Sequence, residues 1–216
     1  MKTLIFPTSE ELTKALVRPE LNKRDLAELV GAVFSDVKTN GDQALRKYTK
    51  EFDGVELDSF LVQPSEFNEA EMLLSTELKE AIKQDARNIR LFHERQKEET
   101  DFVETMPGVK CWRRSVPIER VGLYIPGGSA PLFSTVLMLG IPASIAGCKE
   151  ITLCSPAGKD GKIHPAILFA ARIVGVTKVV KLGGVQAIAA MALGTESIAS
   201  SYKDRKSTRL NSSHLV

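Results

Sequence analysis

Apolar and polar positions change their rhythm along the chain. Up to Glu99 they recur at the helical period. Residues 10–17 carry Leu12, Ala15 and Leu16, and Pro19 disfavours helix in the residue before it. Residues 23–38 set Leu26, Leu29, Val30, Val33, Phe34 and Val37 along one stripe, which Asn40-Gly41 breaks. Residues 42–52, with Ala44, Leu45, Tyr48 and Phe52, predict another short amphipathic helix, and residues 59–62 a short strand. A helix is expected from Ser65, with Glu66 and Glu69 near its positive end, where carboxylates are favoured. A longer one over residues 75–97 places Leu78, Ile82, Ile89 and Phe92 on one side.

Beyond Glu99 the pattern shifts to strands. Pro107-Gly108 marks a turn, and residues 109–116 alternate as a strand would. From Arg120 three strand–helix units follow one another. The strands are residues 121–125, 150–154 and 178–182, and the helices residues 135–146, 165–174 and 185–193. Ser134 reads as the N-cap of the first of these helices, within which Gly140 and Pro142 should kink or shorten it. Alternation at this spacing implies an α/β fold with a parallel sheet and right-handed crossovers. A helical region over residues 1–115 is therefore expected to precede a Rossmann-like unit over residues 116–200. Residues 201–216 are polar and without period, which predicts a disordered tail.

Composition narrows the function classes. Hydrophobic residues at 43% and charged residues at 26% describe an ordinary globular balance. Lys+Arg number 29 against Asp+Glu 27, a net of +2, so charge supplies no reason to expect nucleic acid or an anionic membrane as partner. No stretch approaches the roughly 20 apolar residues of a membrane helix. The opening Met1-Lys2-Thr3-Leu4-Ile5-Phe6-Pro7 is too short for a signal-peptide core. Three cysteines, an odd and sparse count, fit a reducing cytoplasm better than a disulfide scaffold, and a plastid is the expected location only if the source is a plant.

Ligands of open parallel sheets bind at the carboxyl ends of the strands. Gly127-Gly128 follows the first strand and Gly183-Gly184 the third. Such glycines either cradle a phosphate at a helix N-terminus or merely make tight turns. Tyr124 and Gln186 flank them, each able to hydrogen-bond a ligand. The G-x-G-x-x-G fingerprint is absent, and no acidic residue ends the second strand. Cys148, Cys154 and His164 lack zinc spacing, so the two cysteines are expected to pack as small apolar residues. His93, beside Glu94 on a charged helix, suits a helix-end role, and Arg113-Arg114 is too short a basic run to bind nucleic acid.

The run Val121-Gly122-Leu123-Tyr124-Ile125-Pro126-Gly127-Gly128-Ser129-Ala130-Pro131-Leu132-Phe133-Ser134-Thr135-Val136-Leu137-Met138 closely resembles histidinol dehydrogenases. Ile145-Ala146-Gly147-Cys148-Lys149, Leu153-Cys154-Ser155-Pro156, Gly183-Gly184-Val185-Gln186-Ala187-Ile188-Ala189-Ala190 and Gly194-Thr195-Glu196-Ser197 are similar too, as are the upstream Gly41-Asp42-Gln43-Ala44-Leu45 and Asn88-Ile89-Arg90-Leu91-Phe92-His93. The resemblance implies an aldehyde-dehydrogenase-like fold, an intertwined homodimer, and oxidation of L-histidinol through the aldehyde to L-histidine. It also implies NAD as cofactor, with Tyr124 and Gln186 at NAD-contacting positions, and a zinc ion that holds the substrate.

Members of that family are about twice this long. Their zinc ligands and Glu-His acid–base pair lie in the half that has no counterpart here. The resemblance thus implies an amino-terminal half, inactive by itself, with no catalytic or zinc-ligating residue of its own. After Tyr202-Lys203 the family continues into a Gly-Pro-Gly-Asn turn whose asparagine contacts NAD. Here Asp204-Arg205-Lys206-Ser207 follows, so residues 201–216 are expected to be non-native. Leu26, Val30, Val33 and Val37 should lack a full burial partner. A non-catalytic dinucleotide-binding or assembly module is the alternative.

Overall fold

Three short apolar segments build the central sheet of the computed structural model, which describes residues 5–17, 23–127 and 130–201. They are β3 (Arg120–Tyr124), β4 (Glu150–Ser155) and β5 (Lys178–Lys181), parallel and in the order β3-β4-β5. β4 lies in the middle and is buried from Ile151 to Ser155, as a strand with neighbours on both edges and helices on both faces must be. Its side chains alternate between two cores. Leu153 joins Val179 and Ile125 on one face, while Cys154 joins Val180 and Leu182 on the other.

Helices follow the strands in turn: α5 (Phe133–Ala146), α6 (Pro165–Val174) and α7 (Gly184–Leu193). α5 and α6 cover the first face together with α3 (Pro64–Leu73) and α4 (Thr76–Glu94). The second face is closed by α7 and by the later part of α2 (Lys23–Tyr48), through Val33, Val37, Leu45 and Tyr48. The α/β architecture expected from the sequence, helices first and a parallel Rossmann-like sheet after them, is the one observed. Among the described residues, those from 33 onward form one compact unit and those before it another. In the earlier one, α1 (Ser9–Leu16) starts with a reciprocal cap: the Glu11 carboxylate accepts from Thr8 N–H at 2.9 Å and the Thr8 hydroxyl accepts from Glu11 N–H at 3.3 Å.

Gly41 interrupts α2 with φ 49° and ψ −127°, a conformation open to glycine. The Glu196 carboxylate fills the space beside it and accepts from Asp42 N–H at 2.8 Å. The Asn40-Gly41 break was legible; the partner from residue 196 was not.

Several expectations are corrected. Val33 and Val37 are fully buried, in one apolar cluster with Phe60 and residues of α7, although Leu26 and Leu29 are exposed. The strand expected at 59–62 is a single antiparallel bridge, Leu61 to Val180, that closes the outer edge of β5. The strand over 109–116 ends at Trp112: β2 (Val109–Trp112) pairs with β1 (Phe102–Met106), whose strand character had not been read, in an exposed hairpin. Ser134 is not an N-cap. α5 begins at Phe133 and its cap is Leu132, whose side chain offers no acceptor. Of the tail over 201–216, residues 202–216 lie outside the described residues, as do Gly128 and Ser129 of the first glycine turn.

Candidate functional site

Tyr124 is the last residue of β3, and Gln186 lies in the first turn of α7. Both positions follow from the local sequence: an apolar strand ends just before Pro126, and Gly183-Gly184 turns the end of β5 into α7. The two residues meet at Gly184. The Tyr124 hydroxyl accepts a hydrogen bond from Gly184 N–H at 3.0 Å. Gln186 Oε1 lies so close to Gly184 that a Cβ there would stand 2.8 Å from it, and Gly184 has φ +58°. Only glycine combines that backbone with that approach.

Gln186 is not on an open rim. It is fully buried, drawn inward by Asp53, whose Oδ2 accepts from Gln186 Nε2 at 3.3 Å. Its Oε1 has no hydrogen-bond partner. Asp53 ends a π-helical turn, Thr49–Asp53, that follows α2. Burial pushes its carboxyl above the ordinary carboxylate value, while Gly183 N–H and the Gln186 amide partly offset that push. The sequence reading missed Asp53, since nothing local marks an aspartate that acts 133 residues away.

The phosphate-cradle reading of Gly183-Gly184 changes accordingly. Gly184 N–H is taken by the Tyr124 hydroxyl, and an acidic side chain faces Gly183 N–H. A helix start that already faces a carboxylate repels a second anion.

A cleft of about 460 Å³ opens beside this turn, at the carboxyl ends of β3 and β4. Pro126, Gly127, Pro156, His164 and Leu168 line it, with Glu66 and Glu69 of α3 on the far wall. Neither Tyr124 nor Gln186 reaches it. Pro156 stands between, since a Cβ on Gly183 would come 2.7 Å from Pro156 Cβ. His164 caps α6 by accepting from Ala166 N–H through Nδ1 at 3.2 Å.

Cys154 packs as a small apolar residue, its thiol pushed up to about 12 by burial, and Cys148 is partly exposed. His93 contacts Gln96 at the end of α4, as a helix-end residue. Among the described residues no three of His, Cys, Asp and Glu gather as a metal site would require, so the residues present do not compose a zinc centre. No helix among them is long and apolar enough to cross a membrane. The orphaned buried acceptor, Gln186 Oε1, lies at the glycine turn that Tyr124 holds at the strand end.

Comparison with known proteins points one way. The histidinol dehydrogenase family profile matches residues 16–203. Histidinol dehydrogenase of Bacteroides thetaiotaomicron is 53% identical over 203 residues, covering 94% of this chain and 47% of the relative. The protein of the same description from Xanthomonas campestris pv. campestris (strain 8004) is 50% identical over 197 residues, 91% of this chain and 46% of its own. The crystal structure of histidinol dehydrogenase from Elizabethkingia anophelis superposes with a TM-score of 0.83 at 47% identity, over 97% of this chain and 49% of that one. These relatives are bacterial and lend no support to a plastid location. The chain spans about half the length of the curated relatives it matches. With a family profile along most of its length and a shared fold at high identity, the chain belongs to the histidinol dehydrogenase family.

Proposed function

We propose that this chain supplies the nucleotide-binding part, over residues 116–200, of an NAD-dependent histidinol dehydrogenase. The whole protein oxidises L-histidinol through L-histidinaldehyde to L-histidine, the end of histidine biosynthesis, as a homodimer in the cytoplasm. NAD, when bound, accepts the hydride. The chain's own part is to orient it: the Tyr124 hydroxyl and the Gln186 amide converge on one glycine turn at the carboxyl end of a parallel sheet. That convergence, with a buried acceptor left unpaired, is the observation that carries the reading. Zinc and the proton-transferring groups belong to polypeptide outside these residues.

The test is a pair of measurements on the purified 216-residue chain. Titration with NAD+, followed by amide NMR, should shift Gly184 and the Gln186 side chain. Tyr124→Phe should weaken binding severalfold, because the hydroxyl is lost. Histidinol-dependent NADH formation should stay at background. Turnover above background would show that the reacting groups lie within this chain after all. NAD+ titration that leaves the Gly184 turn undisturbed would defeat the cofactor assignment.

A further inference from the structure

The orphaned oxygen of Gln186 has a cause on the opposite side of the amide. A side-chain amide in a buried site can point either way, and what it faces decides. Here it faces Asp53, a group that only accepts when ionised. Nε2 must turn toward the carboxylate, so Oε1 turns away from it, against Gly184 and without a partner. Gly184 in turn is held by Tyr124. Asp53, Gln186, Gly184 and Tyr124 thus form a connected chain of contacts, within which the Gln186 Oε1 acceptor is left unpaired.

We propose that Asp53 is a positioning residue of the cofactor site: it fixes the Gln186 amide with its oxygen turned away from the carboxylate and toward Gly184, so that the site, once the glycine turn moves, recognises a hydrogen-bond donor on the dinucleotide, such as an amino or carboxamide N–H. This rests on the reading of Tyr124 and Gln186 as cofactor contacts. A ligand that engages the Tyr124 hydroxyl competes with Gly184 N–H, and the left-handed glycine can then move off Oε1. Asparagine at position 53 cannot substitute. It offers one oxygen where Asp53 presents two toward Gly183 N–H and the Gln186 amide, and its own NH2 would favour the reversed amide.

A double-mutant cycle tests this on the 216-residue chain with NAD+ as the probe. Asp53→Asn and Gln186→Ala should each raise the Kd about tenfold, the loss of one buried hydrogen bond to ligand. The double variant should bind no worse than Gln186→Ala alone, because Asp53 acts through that amide. A residue that merely supports the fold would give losses that multiply, and multiplied losses overturn the proposal. So does an Asp53→Asn chain that binds as the wild type does while Gln186→Ala is weakened. If Gln186→Ala and Tyr124→Phe also bind unchanged, the cofactor reading itself has failed, which is a different outcome. Should Asp53→Asn not fold, the wild-type chain decides. The Gln186 side-chain N–H signals should stay protected from exchange by Asp53 while NAD+ shifts them, and unshifted or newly exchanging signals refute the proposal.

Discussion

At the scale of single residues, the carboxylate beside Gln186 is half-buried. Burial raises the carboxyl of Asp53 above its ordinary 3.8, so the folded chain holds that proton more tightly than the unfolded one. Ionising Asp53 therefore costs folding free energy. The stability of the wild type relative to Asp53→Asn should be highest below pH 3.8, fall as pH rises through the elevated value, and level off above it. Urea unfolding of both chains at a series of pH values reads this directly, and a difference that grows in favour of the wild type with rising pH would contradict it. Tyr124 and Gln186 were legible as candidates because strand ends and helix starts can be located from periodicity and glycine turns. Their burial and orientation were not legible. Asp53 sits at the end of a short helical segment that looks unremarkable by itself, and only the fold brings it to Gln186.

At the scale of elements, helices with strong local signals came out nearly as read. Ser75 caps α4 by accepting from Leu78 N–H, and α6 runs over the residues expected of it. Where short-range signals are thin, elements were missed or misjudged. β1 (Phe102–Met106) has exposed side chains along its whole length, so no burial pattern marks it, and its strand character comes from pairing with β2. The Gly140 and Pro142 pair, expected to disturb α5, instead leaves it continuous from Phe133 to Ala146. Gly140 has a packing role: a Cβ there would stand 2.4 Å from Val174 Cγ2, where α5 meets α6. Gly140→Ala should destabilise the chain by about 1–3 kcal/mol through overpacking, despite alanine's better helix propensity. Adding Val174→Ala should return part of the loss. Chemical denaturation that finds Gly140→Ala as stable as wild type would show that the contact yields freely.

At the scale of the molecule, from residue 33 onward a parallel sheet is packed on both faces, and a separate hairpin is left exposed. Phe102, Met106, Trp112 and Val116 are each more than half exposed around the hairpin. That is more apolar surface than a solvated ribbon needs. Trp112, the one tryptophan of the chain, is 60% exposed, so its emission should be red-shifted and readily quenched by acrylamide. A blue-shifted, unquenched tryptophan in a monomeric chain would refute that exposure. The amino-acid sequence by itself determined the α/β class, the three strand–helix units, the helix break at Gly41 and the candidacy of Tyr124 and Gln186. Each of these follows from rules that act over a few residues: periodicity, caps, turn chemistry. Tertiary structure alone decided that Val33 and Val37 are covered, that residues 60–62 close the edge of β5, and that Asp53 meets the Gln186 amide. These join segments far apart in the chain, and burial on the two sheet faces, rather than any local preference, selects which of them meet.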